Sequence, residues 1–149
     1  MKKSEAADVV SQARLSKSVS WNQIAEAIDR PVVWTVAALL GNHPVPEKAA
    51  RTVGDLLGLD AEATAALAAL PYRVADPTLA SDPTIYRFHE AINVYGAALK
   101  ELIHEEFGDG IMSAINFSIS FARRPDPDGD RVVVTLDGKF LPYQWNSQP

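Results

Sequence analysis

Cysteine is absent from the 149 residues. Disulfide bonds, thiolate metal sites and thiol nucleophiles are therefore excluded, and nothing speaks for an oxidising compartment, so a cytoplasmic location is expected. Long apolar runs are missing too. No stretch approaches the roughly 18 apolar residues of a membrane span, and the two lysines near the N-terminus are not followed by an apolar segment of signal-peptide length. Neither secretion nor a membrane partner is expected. Positive charge is scarce: 14 Lys and Arg face 19 Asp and Glu, for a net charge of −5. Up to Ala75 the count is 8 basic and 8 acidic residues, and beyond it 6 and 11, so the second half carries the whole negative excess. That balance disfavours nucleic acid, whose binding needs cations to displace phosphate counterions.

Histidine is sparse as well, with only His43, His89 and His104. His89-Glu90 opens like a metalloprotease helix, but Asn93 stands where the second histidine is required, so no metal site is expected. Gly108-Asp109-Gly110 has too few glycines, and no following lysine, for a phosphate loop. Glu101, Glu105 and Glu106 read as the solvated side of a helix. What the chain does have is an ordinary globular balance, 47% hydrophobic and 22% charged, enough for one domain or two small ones.

The expected fold class is α+β, with a boundary near residue 75. Residues 1–75 read as an all-helical, helix-turn-helix-like domain. Ser20-Trp-Asn-Gln23 is a capping box that opens a helix over 20–29. Pro31 follows a break and opens a helix over 31–40, which Gly41 stops. Further helices are expected from Pro46 to Gly58 and from Asp60 to Pro71. Residues 72–83, with two prolines and no period, read as an extended connector. Asp82-Pro83-Thr84 caps the longest helix, which ends at Gly108. Then the period changes to two. Ile115, Phe117, Ile119 and Phe121 alternate with small or polar residues, predicting a strand with one buried face. Pro125 to Gly129 is turn chemistry, Arg131 to Leu136 is a second strand, and Asp137-Gly138 reads as a further tight turn. One helix and two or three strands cannot close a core alone, so residues 76–149 are expected to oligomerise.

A helix pair ahead of an oligomerisation domain is also the plan of many DNA-binding regulators. The second helix reads PVVWTVAALL, without a charge or an amide, and only Thr35 offers a hydrogen bond to a base. The pair is therefore read as packing, with Trp21 and Trp34 as core or interface residues. In the C-terminal half, Arg87 and Glu90 stand three residues apart and share a helix face, a spacing that by itself supports no more than a surface ion pair.

The wider context adds to that reading. Asp82 to Glu90 (DPTIYRFHE), Val94-Tyr95-Gly96, Phe107 to Phe117 (FGDGIMSAINF) and Leu136 to Pro142 (LDGKFLP) together resemble the cyanase family, in the family's order, as does Ala37-Ala38-Leu39-Leu40-Gly41 in the first half. One departure is His89, where the family motif carries a tyrosine. The resemblance implies a lyase that joins bicarbonate, as co-substrate, to cyanate, with no cofactor and no metal. It implies a catalytic trio of Arg87, Glu90 and Ser113, and a pocket lined by Ile111, Ala114 and Leu141. It further implies a homodecamer of five dimers with active sites shared between subunits. In that chemistry Arg87 suits an anion clamp, and Ser113 a hydrogen-bond donor to a small anion. Glu90 either orients Arg87 or transfers a proton. Ser113 is not read as a nucleophile, since no histidine is placed to activate it.

Overall fold

The structure, a computed structural model, describes residues 1–144. It is α+β: six helices precede a two-stranded antiparallel sheet. The chain divides into two compact units, Met1–Arg73 with Ile119–Thr135, and Val74–Ser118 with Leu136 onward.

The first unit holds helices α1 (Lys3–Ser16), α2 (Trp21–Ala27), α3 (Val32–Leu39), α4 (Glu47–Leu57) and α5 (Ala61–Ala68). Local chemistry sets their ends. The Ser20 hydroxyl accepts from the Gln23 amide at 3.1 Å while the Gln23 side chain accepts from the Ser20 amide at 2.7 Å, which is the expected capping box. Asp60 caps α5 through the Ala63 amide at 2.7 Å. Gly58 ends α4 at φ 65°, a left-handed conformation that costs glycine little. Pro31 differs from its expected place. At ψ 138° it is the cap that precedes α3 and not the first helical residue. The amphipathic faces then meet in one core around Val10, Ile24, Leu39, Val45, Val53, Leu57 and Leu67, with Trp21 and Trp34 half-buried against it. Thr35 is fully buried among these residues, and its hydroxyl donates to the Pro31 carbonyl at 3.0 Å.

In the second unit, Asp76 accepts from the Thr78 hydroxyl and amide at 2.6 and 2.8 Å, which holds its carboxyl below the usual carboxylate range. A short 3-10 turn, Leu79–Ser81, leads into α6 (Pro83–Phe107), which Asp82 caps through the amides of Thr84 and Ile85. At 25 residues α6 is about 37 Å long, and none of its side chains is buried. Tyr86, Phe88, Ile92, Tyr95, Leu99 and Leu102 are all between 46% and 63% exposed.

Strands β1 (Gly110–Arg124) and β2 (Arg131–Pro142) form the hairpin. Its end is held by ion pairs of Arg123 with Asp130 and of Arg131 with Asp126. Both strands exceed their expected lengths. The turn expected at Asp137-Gly138 does not form, and β2 runs straight through it to Pro142. Ile115 and Phe121, expected on a buried strand face, are 97% and 57% exposed. Their burial requires a surface that the single chain does not supply.

Close packing of the helical unit is tested at Gly54, where an added Cβ would lie 2.5 Å from the Thr64 Oγ1 and 3.0 Å from its Cγ2. Threonine is short and β-branched, so it cannot swing clear. Gly54→Ala is expected to lower stability by about 1–2 kcal/mol in urea unfolding, despite the roughly 1 kcal/mol gain in helix propensity. Adding Thr64→Ala should recover the loss.

Candidate active site

The first half of the site stands on α6. Arg87 lies in its second turn, one turn before Glu90, and the two side chains meet: Arg87 Nη1 donates to Glu90 Oε2 at 2.7 Å. The Arg87 guanidinium also sits 5.3 Å from the centre of the Tyr86 ring. The pair is open to solvent, with 67% of the Arg87 side chain and 50% of the Glu90 side chain exposed. An exposed pair at this spacing contributes only a few tenths of a kcal/mol to helix stability. Its chemistry is of more interest: a fixed cation whose remaining N–H donors face outward, held by a carboxylate.

The second half stands at the base of the hairpin. Phe107, the last residue of α6, stacks on Phe140 of β2 with centroids 5.1 Å apart, and the Tyr143 amide donates to the Asp109 carbonyl at 3.1 Å. These contacts close the Gly108-Asp109-Gly110 turn and set the start of β1. Ser113 follows as one of two buried residues of that strand, 5% exposed. Its Oγ accepts from two successive amides, Ile115 at 3.1 Å and Asn116 at 2.9 Å. In a regular pleat successive amides point to opposite sides. The backbone therefore leaves the pleat between Ser113 and Asn116.

That departure fixes what Ser113 can do. A serine oxygen has two lone pairs and one proton, and here both lone pairs are engaged. The hydroxyl proton has no acceptor among the described residues. Ser113 is thus a committed donor and a poor nucleophile. Ile111 and Ala114, its neighbours on β1, are exposed, and Leu141 on β2, whose carbonyl faces Gly110, is 39% exposed.

The two halves do not meet within one chain. From Arg87 to Phe107 the helix rises about 30 Å, and neither strand of the second unit packs along α6. The structure joins Arg87 to Glu90, but it does not bring the trio together. Among the described residues one surface cavity of about 460 Å³ lies beside Glu26, Asp29 and Arg30, and another of about 400 Å³ beside Asn116, Ser118, Asp137 and Lys139 on the hairpin. Among the described residues no three His, Asp or Glu side chains group to hold a metal ion. Nor, among the described residues, is any helix long and apolar enough to cross a membrane.

Comparison with known proteins decides the family. The model for the cyanate lyase C-terminal domain matches residues 77–145, and that for the cyanate hydratase N-terminal region matches residues 3–71. The chain belongs to the cyanate lyase family. A cyanate hydratase of Mycolicibacterium vanbaalenii is 61% identical over 148 residues, covering 99% of this chain and 97% of that protein. One from Pseudomonas savastanoi is 52% identical over 136 residues, covering 91% of this chain and 88% of that protein. Among solved structures, the cyanase from T. urticae superposes with a TM-score of 0.83 at 36% identity, over 94% of this chain and 99% of that one. The family resemblance read from the sequence is thereby established, and so is the α+β fold.

Two features of the site escaped sequence reading. The amides of Ile115 and Asn116 hold Ser113, and no side-chain pattern signals them. Gly138 faces Ser113 across the hairpin, so close that a Cβ there would lie 2.4 Å from the Ser113 carbonyl oxygen. An isolated glycine in a strand pattern signals such an approach, but the Asp-Gly pair reads equally as a turn.

Ser113→Ala should leave the two amides of Ile115 and Asn116 without their acceptor. It is expected to cost about 1–3 kcal/mol in urea unfolding, whereas Ser113→Thr, which keeps the hydroxyl, should cost less.

Proposed function

We propose that the protein is a cyanate hydratase, a lyase that decomposes cyanate with bicarbonate in the cytoplasm, without a cofactor. Bicarbonate joins cyanate to give a carboxylated intermediate. With one proton taken up, this breaks down to carbon dioxide and carbamate, and carbamate takes a second proton to release ammonia and a second carbon dioxide. The observation that carries the reading is the presence, on one chain of this family, of a solvent-exposed Arg87–Glu90 pair and of a Ser113 hydroxyl whose oxygen is already held by two amides.

The physical difficulty of the reaction is that both substrates are anions. At 4 Å they repel by about 4 kcal/mol at an effective dielectric constant near 20. Arg87 offsets that repulsion, because a guanidinium stays charged and offers a planar fork of donors to carboxylate-like oxygens. Ser113 adds a neutral donor, and Ile111, Ala114 and Leu141 form the wall that excludes water. Glu90 orients Arg87, a role supported by the 2.7 Å contact. The same carboxylate is placed to carry a proton during breakdown of the intermediate.

The trio has to be completed by another copy of the chain. Supporting this are the separation of Arg87 from Ser113 within one chain and the wholly unburied α6. Exposed Ile115, Val132 and Leu136 on the hairpin add apolar area of the kind that marks an interface. We assign the assembly as a homodecamer of five dimers with sites shared between subunits.

The DNA-binding alternative loses its one base-contacting candidate, since Thr35 is buried and spends its hydroxyl on Pro31.

Purified protein is expected to release ammonia from cyanate only when bicarbonate is present. Arg87→Ala should reduce that rate roughly 10²- to 10³-fold, the usual loss for one preorganised charge-stabilising donor. Arg87→Lys should restore it only in part, because the planar fork is gone. A well-folded assembly that releases no ammonia would contradict the assignment and call for a DNA-binding screen.

A further inference from the structure

From the packing at the base of the hairpin we infer that Gly138 is a positioning residue for the anion site: its missing side chain lets β2 press against the backbone of Ser113 and hold that hydroxyl as a donor. The inference rests on the proposed function for its activity readout, but not for its structural one. An added Cβ at position 138 would lie 2.4 Å from the Ser113 carbonyl oxygen, 2.5 Å from the Met112 Cγ and 3.2 Å from the Met112 Sδ. The methionine is flexible and can move. The carbonyl cannot, because it belongs to the strand that carries Ser113, so any side chain at 138 must push that strand away.

The push acts where the strand is least able to absorb it. Ser113 already departs from the regular pleat, with its Oγ holding the amides of Ile115 at 3.1 Å and Asn116 at 2.9 Å. Hydrogen bonds weaken steeply with distance and misalignment. A shift of a few tenths of an ångström at the Ser113 backbone lengthens both bonds and frees the hydroxyl to rotate. A second glycine guards the same end of the hairpin: a Cβ at Gly110 would lie 2.4 Å from the Leu141 carbonyl oxygen and 2.4 Å from the Phe140 ring. The two glycines bracket Ser113 along one short stretch of paired backbone. Gly138 touches neither substrate nor reacting atoms, so its whole effect passes through Ser113.

The test is a double-mutant cycle read by inhibition with azide, a linear monoanion of cyanate's shape. Gly138→Ala and Ser113→Ala should each weaken azide inhibition about 10- to 100-fold, the loss for one hydrogen bond to a charged ligand. The double variant should be no weaker than Ser113→Ala alone, because both act through one hydroxyl. Met112→Ala/Gly138→Ala removes the side-chain overlap and leaves only the carbonyl contact. It should keep the defect, and it carries the comparison if Gly138→Ala alone fails to fold. Wild-type azide inhibition in the folded glycine variant, or effects that multiply in the double variant, would overturn the inference. Hydrogen exchange of the 113–118 segment decides it without turnover. Gly138→Ala should speed exchange at the Ile115 and Asn116 amides as Ser113→Ala does, and unchanged exchange would overturn the inference even if the wild-type protein proved inactive on cyanate.

Discussion

A helix of 25 residues that buries none of its side chains is the constraint from which the rest follows. Burying one large apolar side chain is worth about 1.5–3 kcal/mol, and α6 leaves Tyr86, Phe88, Ile92, Tyr95, Leu99 and Leu102 at least 46% exposed. In water that surface demands a cover, and the second unit of the chain has none to give. Arg87 and Glu90 ride on the same helix. Covering α6 with further copies therefore also removes the ion pair from bulk solvent, where its field is weak, and strengthens its hold on an anion. In the proposed assembly, folding, association and catalysis are one problem, solved at the surface of one element.

The helical first unit shows the opposite economy. It closes its own core around Ile24, Leu39, Leu57 and Leu67, and it withdraws even Thr35 from solvent. The helix pair of a DNA-binding module is present in outline, but the surface such a module needs is not. This half of the chain is a self-contained packing unit, whereas α6 in the other half leaves its large apolar side chains exposed.

Much of this was legible in the residues. Ser20 with Gln23, Asp60, Asp82-Pro83 and Gly58 mark helix ends through local hydrogen bonds and backbone preferences, and local chemistry survives into the fold. The period change after Gly108 located the hairpin. The Asp137-Gly138 pair was misread because a glycine that relieves a cross-strand contact and one that makes a turn look alike in one dimension. Ile115 and Phe121 are exposed in the single chain, since alternation tells which residues share a face but not whether the covering surface belongs to the same chain. Arg87 and Glu90 were found by spacing and given meaning only by the family motif. The acceptor role of the Ser113 oxygen could not be read at all, because it depends on main-chain amides.

In the proposed mechanism Ser113 and Arg87 meet different needs of one reaction. In the proposed site the arginine supplies a fixed charge and a fork of donors, whereas the serine supplies one directed hydrogen bond that depends on local backbone geometry. Their separation within a single chain turns the central claim, that one copy's Arg87 works with another copy's Ser113, into a complementation experiment. Arg87→Ala and Ser113→Ala proteins, each severely impaired alone, would be dissociated, mixed and allowed to reassemble, and ammonia release from cyanate with bicarbonate measured. Shared sites are expected to restore a substantial fraction of wild-type activity, because some sites then combine an intact arginine with an intact serine. A mixture that reassembles to full size and stays as impaired as its components would contradict the account.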